Sequence, residues 1–211
     1  MRKLLDSSQT LVRLEAYKLL AAQSDPVVFS TPVGKSQSGA KFTLDIVPSN
    51  GPPVIYASRR GPPRIAIIGA KPFLNMPAMF TAMDNQISIS SAERARSVTI
   101  YYRGVDVVNP IRVESNPDIA EIAARLGGVS PPGEPALNFN YGDVVAMLQA
   151  LSDARQVSGV LNGRRVPAAF VMQEAPNMQD DIQSAPIIPD QGRPESNGPV
   201  GMNDAGSVRS Q

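Results

Sequence analysis

From residue 27 to residue 115 the apolar residues of this chain fall into short runs, several of them strictly alternating. Proline, glycine or an Asp–Asn pair closes almost every run. A two-residue period is the mark of a strand with one face buried, and frequent turn residues keep such strands short. In "KFTLDIV" the period places Phe42, Leu44 and Ile46 on one face and Thr43 and Asp45 on the other. "PPVIYASR" and "PRIAIIG" are β-rich runs bounded by Gly–Pro–Pro at 51–53 and 61–63. "AMFTAM" and "QISISS" flank Asp84–Asn85, residue types that tolerate a tight hairpin turn. Ile87 and Ile89 alternate with serines, which gives that strand one polar face. About eight short strands separated by turns predict an antiparallel β-sandwich or barrel-like sheet and not a βαβ fold.

"RSVTIYYRGVDVVNPIRVES", residues 96–115, reads as two further strands. Over 97–103 the alternation divides Val98, Ile100 and Tyr102 from Thr99, Tyr101 and Arg103, and Val98 with Ile100 make the first set the buried one. Strand 97–103 is expected inside its sheet, with Tyr101 facing outward.

Helical spacing appears at both ends. "QTLVRLEAYKLLAAQ", 9–23, predicts a helix capped by Thr10 and stopped by Asp25–Pro26. Its apolar residues cover two faces: Leu11, Leu14 and Ala21 on one, Val12, Ala16, Leu19 and Leu20 around the other. Neighbours on both sides are therefore expected. The spacing of Val12, Arg13, Ala16 and Leu20 resembles the second helix of a HEAT-type repeat, present here in one copy where a solenoid needs about three. A single helix packed on the following domain is the plainer expectation.

In "NPDIAEIAARLGG" Asn116 is the expected cap, Pro117 the first helical residue and Gly127 the end, with Ile119, Ile122, Ala123 and Leu126 in one stripe. "NYGDVVAMLQALSDARQV" has capping-box spacing at Asn140 and Asp143 and a stripe of Val144, Met147, Leu148 and Leu151. A closing strand is expected at 165–173, and residues 175–211, poor in apolar groups, are expected to be disordered. The chain thus divides into a helical, HEAT-like segment (1–26), an antiparallel β domain (27–115), a helical subdomain with a closing strand (116–174) and a tail (175–211). The fold class is α+β.

Two absences remove most chemistry. The chain has no cysteine, hence no disulfide, thiolate metal site or cysteine nucleophile. It has no histidine, hence no Ser–His–Asp arrangement and little footing for zinc. A net charge of +1 generates no whole-chain field for nucleic acid or an anionic membrane. "MRKLL" is interrupted by "DSSQ" where a signal peptide would need an apolar stretch, and no run approaches the ~18–20 apolar residues of a membrane span. No cofactor, nucleic-acid partner or membrane insertion is expected, and the chain is not read as an enzyme.

The weaker signals resolve toward structure. "IIGAKP", 67–72, lacks the second glycine and the Lys–Ser/Thr pair of a phosphate loop, and reads as a strand ending in a glycine turn. Asp45, Asp84, Asp106, Glu114 and Asp118 contain no pair that the strand pattern forces together. Met76, Met79 and Met83 are expected as core filler. The basic clusters "SRRGPPR" and "NGRRVP" read as solvated loop arginines, with protein contact the next choice. Arg59, Arg60, Arg64, Tyr101 and Arg103 are the candidate protein-interface residues.

Taken together, "LVRLEAYKLL", "FTLDIVPSNGPPVIYASR", "PRIAIIG", "VTIYYRG" and "ALNFNYGDVVAMLQALSDARQVSGVLNGRRVPAAFVM" resemble the carboxy-terminal region of bacterial flagellar P-ring proteins, in their long planctomycete-type form. The resemblance spans about residues 6–173 and implies a structural subunit of a periplasmic ring around the flagellar rod, with no catalysis and no cofactor. Its partners would be further copies or other basal-body proteins. The family's signal peptide and larger amino-terminal part have no counterpart in these 211 residues, so the periplasmic setting presumes a longer protein, and a complete chain of this sequence would be cytoplasmic. The alternative is a cytosolic adaptor, a β-sandwich binding module with a flanking helical-repeat element.

Overall fold

The alternation over 42–47 does form a strand, but Asp45 and Val47, on the face opposite Phe42 and Leu44, are buried as well, while Ile46, expected beside Phe42 and Leu44, is 38% exposed. In a computed structural model, which describes residues 1–37, 39–104 and 109–173, a 3-10 turn (Arg2–Asp6) precedes helix α1 (Thr10–Ala22), and nine strands follow before the next helix. These are β1 (Phe29–Val33), β2 (Phe42–Val47), β3 (Val54–Ala57), β4 (Arg64–Ile68), β5 (Phe73–Leu74), β6 (Ala78–Ala82), β7 (Ile87–Ser91), β8 (Val98–Tyr102) and β9 (Ile111–Ser115). Helices α2 (Ile119–Gly127) and α3 (Tyr141–Asp153) and strands β10 (Val157–Leu161), β11 (Arg164–Pro167) and β12 (Ala169–Met172) complete the described chain. The expected tail at 175–211 and Asp106 lie outside the described residues.

The strands build three sheets, ordered β1-β2-β4-β3-β12, β11-β10-β5 and β6-β7-β8-β9. The fold is α+β with mostly antiparallel pairing. None of the three sheets closes on itself, which corrects the barrel-like alternative. Two pairings are parallel, β2 with β4 and β3 with β12, against the wholly antiparallel expectation. For β2 with β4 the cause is insertion, since β4 folds back on β3 as a hairpin and then takes the place beside β2, while β12 joins the free edge of β3. The closing strand expected at 165–173 is two strands broken at buried Ala168, β11 pairing with β10 and β12 with β3.

Covering the five-stranded sheet on both sides explains why β3 and β4 read as continuous apolar runs. Phe42, Leu44, Ile55, Ala57, Ile65 and Ile67 enter the main core, which α2, α3 and the inner face of the four-stranded sheet share. Val47, Val54, Tyr56, Ala66 and Ile68 enter a second core under α1. Helix α1 buries one stripe, Arg13, Leu14, Ala16, Tyr17 and Leu20, while Leu11 is 74% and Leu19 44% exposed. That corrects the two-faced expectation. Two polar residues occupy the stripe because each finds partners there: Arg13 donates to the carbonyls of Leu5 (2.9 Å) and Ile68 (3.2 Å), and Tyr17 donates to Asp45. Gly69, the glycine of "IIGAKP", has φ +97°, and a Cβ there would lie 2.5 Å from the Pro52 carbonyl oxygen. Its place is a tight passage beside buried Arg13, which rests on the same turn.

Local signals at the other helices hold with two shifts of cap. Gln9, not Thr10, precedes α1, without a side-chain cap bond. Asp118, not Asn116, caps α2, accepting from the Ala120 amide at 2.9 Å, so Pro117 lies ahead of the helix and not at its first position, and Asn116 bonds Glu121 instead. Left-handed Gly128 follows Gly127 and closes α2. The Asn140–Asp143 capping box starts α3, whose expected stripe is fully buried. In the four-stranded sheet β8 is interior, with Val98 and Ile100 inward and Tyr101 outward, as the alternation predicts. Met79 points to solvent at 82% exposure, so it is not core filler; Met83 is also exposed, and Met76 alone of the three packs on the core.

Candidate functional site

One carboxylate organises the corner where α1 meets the sheet. Asp45 lies in a cross-strand row, Ser30 to Asp45 to Ala66 to Tyr56, on the face that α1 covers. Arg64 sits one alternate position earlier on β4, opposite Thr43, so its side chain reaches Asp45 diagonally on the same face. Asp45 has no exposed surface. Its Oδ2 accepts from the Tyr17 hydroxyl (2.6 Å) and from Arg64 Nη1 (2.5 Å), and its Oδ1 accepts from the Ser30 hydroxyl (2.5 Å). A buried charge is tolerable when it is paired and its remaining lone pairs are bonded, and Asp45 meets both conditions.

Electrostatics follow from that packing. Burial raises the Tyr17 pKa far above that of an ordinary phenol, and the bond to Asp45 raises it further. Burial also raises those of Tyr56 and Tyr141. All three are neutral hydrogen-bonding groups at physiological pH. Burial pulls the Arg64 pKa down, but Asp45 more than offsets this and leaves it raised.

The turn between β3 and β4 is clamped from below. The Tyr141 hydroxyl reaches the carbonyl oxygens of Ser58 (2.6 Å) and Arg64 (2.9 Å), bridging the two ends of the turn that carries Arg59 and Arg60. The Ser58 hydroxyl accepts from the Arg64 amide at 2.9 Å. Above the turn a cavity of about 290 Å³ opens between Lys18, Tyr56, Arg60, Arg64 and Gln173. Beside it, sharing Ser58, a groove of about 390 Å³ is walled by Arg59, Tyr141, Val145, Ala146 and Met172. Lys18 lies 6.0 Å from the Tyr56 ring centre and pairs with Glu15 at 2.7 Å. Arg60 is exposed and has no carboxylate partner among the described residues.

Of the candidate interface residues, Arg59, Arg60 and Arg64 therefore meet at one corner, and Arg64 is largely committed to Asp45. Tyr101 and Arg103 belong to a different sheet: Tyr101 is on the outer face of β8 beside Arg112, and Arg103 follows the strand with its amide bonded to Gln86. Compared with family models, curated proteins and solved structures, the chain matches none.

Tyr17, Ser30 and Asp45 were not legible as a group. The alternation placed Asp45 opposite the core face of β2, and that parity is right. What it does not contain is the second cover, α1, that turns the opposite face into an interior. No described helix is long and apolar enough to cross a membrane.

Proposed function

We propose that this chain is a structural, non-catalytic subunit whose work is assembly with protein neighbours, its own copies first, as in the flagellar P-ring proteins whose carboxy-terminal region it resembles. Strand β6 carries this reading. It is an edge of the four-stranded sheet, and an edge strand offers a row of unpaired N–H and C=O groups to any second strand that approaches. The opposite edge, β9, is guarded by outward Arg112 and Glu114. Strand β6, "AMFTA", contains no charge, and its exposed side chains are Met79 and Thr81. A neighbour adding a strand there would extend the sheet, and Arg103, at the end of β8 two strands inward, would act on its approach through charge and not through contact. In a ring subunit such a contact would repeat around the rod.

Sedimentation velocity tests this. The wild-type chain is expected to associate as its concentration rises, and Met79→Lys to shift it toward monomer with an unchanged melting temperature. Arg103→Glu should weaken association most at low salt, and the difference from the wild type should fade as salt rises, because exposed charges are screened and steer more than they stabilise. A wild-type chain that stays monomeric at every concentration tested, or a Met79→Lys variant that associates as before, overturns the proposal.

A further inference from the structure

Which backbone groups of β6 are free follows from the far side of β7. The Arg103 amide donates to the Gln86 carbonyl at 2.7 Å, so Gln86 turns its carbonyl toward β8. Successive residues of an antiparallel strand bond to alternate sides. Ser88 and Ser90 therefore bond β8, and Ile87, Ile89 and Ser91 bond β6 at their partners Ala82, Phe80 and Ala78. The amides and carbonyls of Met79 and Thr81 are left pointing away from the sheet, and among the described residues no turn or loop bond ends on either. Their side chains are the exposed pair of the strand, while Phe80, half-buried, packs on the core.

This edge is complementary to itself. Opposed residues of two strands must share a face of the sheet, so an antiparallel second β6 is limited to registers that set Met79 or Thr81 against Met79 or Thr81. Centring on Phe80 sets Met79 against Thr81 of the second copy, Ala78 against Ala82 and Phe80 against Phe80, and so pairs all 5 residues of the strand. Met79 and Thr81 then exchange both backbone bonds with their opposites. A slip that centres on Met79 sets Thr81 against Pro77, which has no N–H to give. A slip that centres on Thr81 sets Met79 against Met83, which turns away with a φ of +53°. The central register also brings the two Phe80 rings together on the inner face, a favourable cross-strand pair. Both outer edges of the joined sheet are then β9, each with Arg112 and Glu114 outward, and charge of that kind discourages further strands.

We propose that β6 pairs antiparallel with β6 of a second copy about a two-fold axis at Phe80, joining their four-stranded sheets into one. This rests on the reading of β6 as the assembly edge and adds to it the partner strand, the register and the symmetry. A contact that uses the same patch on both copies closes at two. In a ring the pair, and not the single chain, would be the repeating unit.

The chain has no cysteine, so single cysteines placed on the exposed face of the full chain report the register directly. Residues opposed in a hydrogen-bonded pair lie about 5.5 Å apart at Cα, within reach of a disulfide, and diagonal neighbours about 7–8 Å. Met79→Cys and Thr81→Cys chains, one of them isotopically labelled, are mixed under mild oxidation. The mixed disulfide is expected to form about tenfold faster than either homodisulfide, whose partners are diagonal. Met79→Cys mixed with Glu114→Cys should give no more than background. Met79, Thr81 and Glu114 are exposed, so thermal melts of the reduced variants should match the wild type. A homodisulfide that forms faster than the mixed one overturns the register. Fastest coupling of Met79→Cys to Glu114→Cys shows head-to-tail addition, which overturns the two-fold pairing and leaves β6 standing as an assembly edge. No disulfide from any combination overturns the pairing, and if the wild type also stays monomeric in sedimentation, the assembly reading falls with it.

Discussion

At Asp45 a carboxylate without solvent contact is held by a guanidinium and two hydroxyls, and each partner contributes something measurable. Asp45→Asn removes the negative charge and leaves Arg64 unpaired. The expected loss is about 3 kcal/mol, the lower end for breaking a buried pair, because Arg64 keeps 35% of its side-chain surface in water. Chemical denaturation would show it, and a loss below about 1 kcal/mol would mean that the pair roughly cancels its own desolvation. Tyr17→Phe removes a hydrogen bond to a charged group and should cost about 1.5–3 kcal/mol at neutral pH. Its pH dependence has a definite sign. Tyr17 is held protonated in the folded state, with its pKa raised by burial and by Asp45. That contribution is fully present below the unfolded tyrosine pKa of about 10 and is lost as pH rises above it, since the unfolded chain then releases a proton that the folded chain keeps. The stability gap between wild type and Tyr17→Phe should narrow above about pH 10, and a gap that widens there contradicts the assignment.

Among the elements, α3 is the one whose sequence states its role most openly. Its capping box, its one-sided stripe and its burial agree, and Leu148, with no exposed surface, sits mid-stripe. Leu148→Ala should cost about 3 kcal/mol in denaturant melts, as buried leucine truncations do, and a value under about 0.5 kcal/mol would show that this face is not packed. Helix α1 is the opposite case. Apolar content suggested two buried faces, yet Arg13 and Tyr17 took places that Leu11 and Leu19 did not. Hydrophobicity alone assigns a face only when every buried polar atom would go unsatisfied. Here Arg13 finds two backbone carbonyls and Tyr17 finds Asp45, so polar residues go inward at little cost.

For the molecule as a whole, the four-stranded sheet separates folding from surface. Tyr102 packs edge-on against Phe139 with ring centres 4.8 Å apart, whereas Tyr101, its neighbour in sequence, is 40% exposed. Tyr102→Ala should therefore lower stability by about 2–3 kcal/mol, somewhat less than a fully buried aromatic, and Tyr101→Ala by less than about 0.5 kcal/mol. Thermal melts of the two variants check the register, because a one-residue slip would exchange the results. The same sheet bears the uncharged edge β6, so variants that leave its inner face alone should change association and not folding.

Several features were determined by sequence because they are local. Turns at Asp84–Asn85 and at the two Gly–Pro–Pro corners, the Asn140–Asp143 cap, and the division of Tyr101 from Tyr102 each depend on residues a few positions apart. Neighbouring backbone conformations and a two-residue period suffice to specify them. The order of the five strands, the parallel pairings and the dry second face of β2 were decided only by tertiary structure. Tyr17 reaches Asp45 across 28 positions and Arg64 reaches it across 19, and neither separation leaves a trace in the periodicity of either segment. A carboxylate that alternation places opposite the core face becomes the centre of a buried cluster because a distant helix closes over it, and only the packed structure shows that cover.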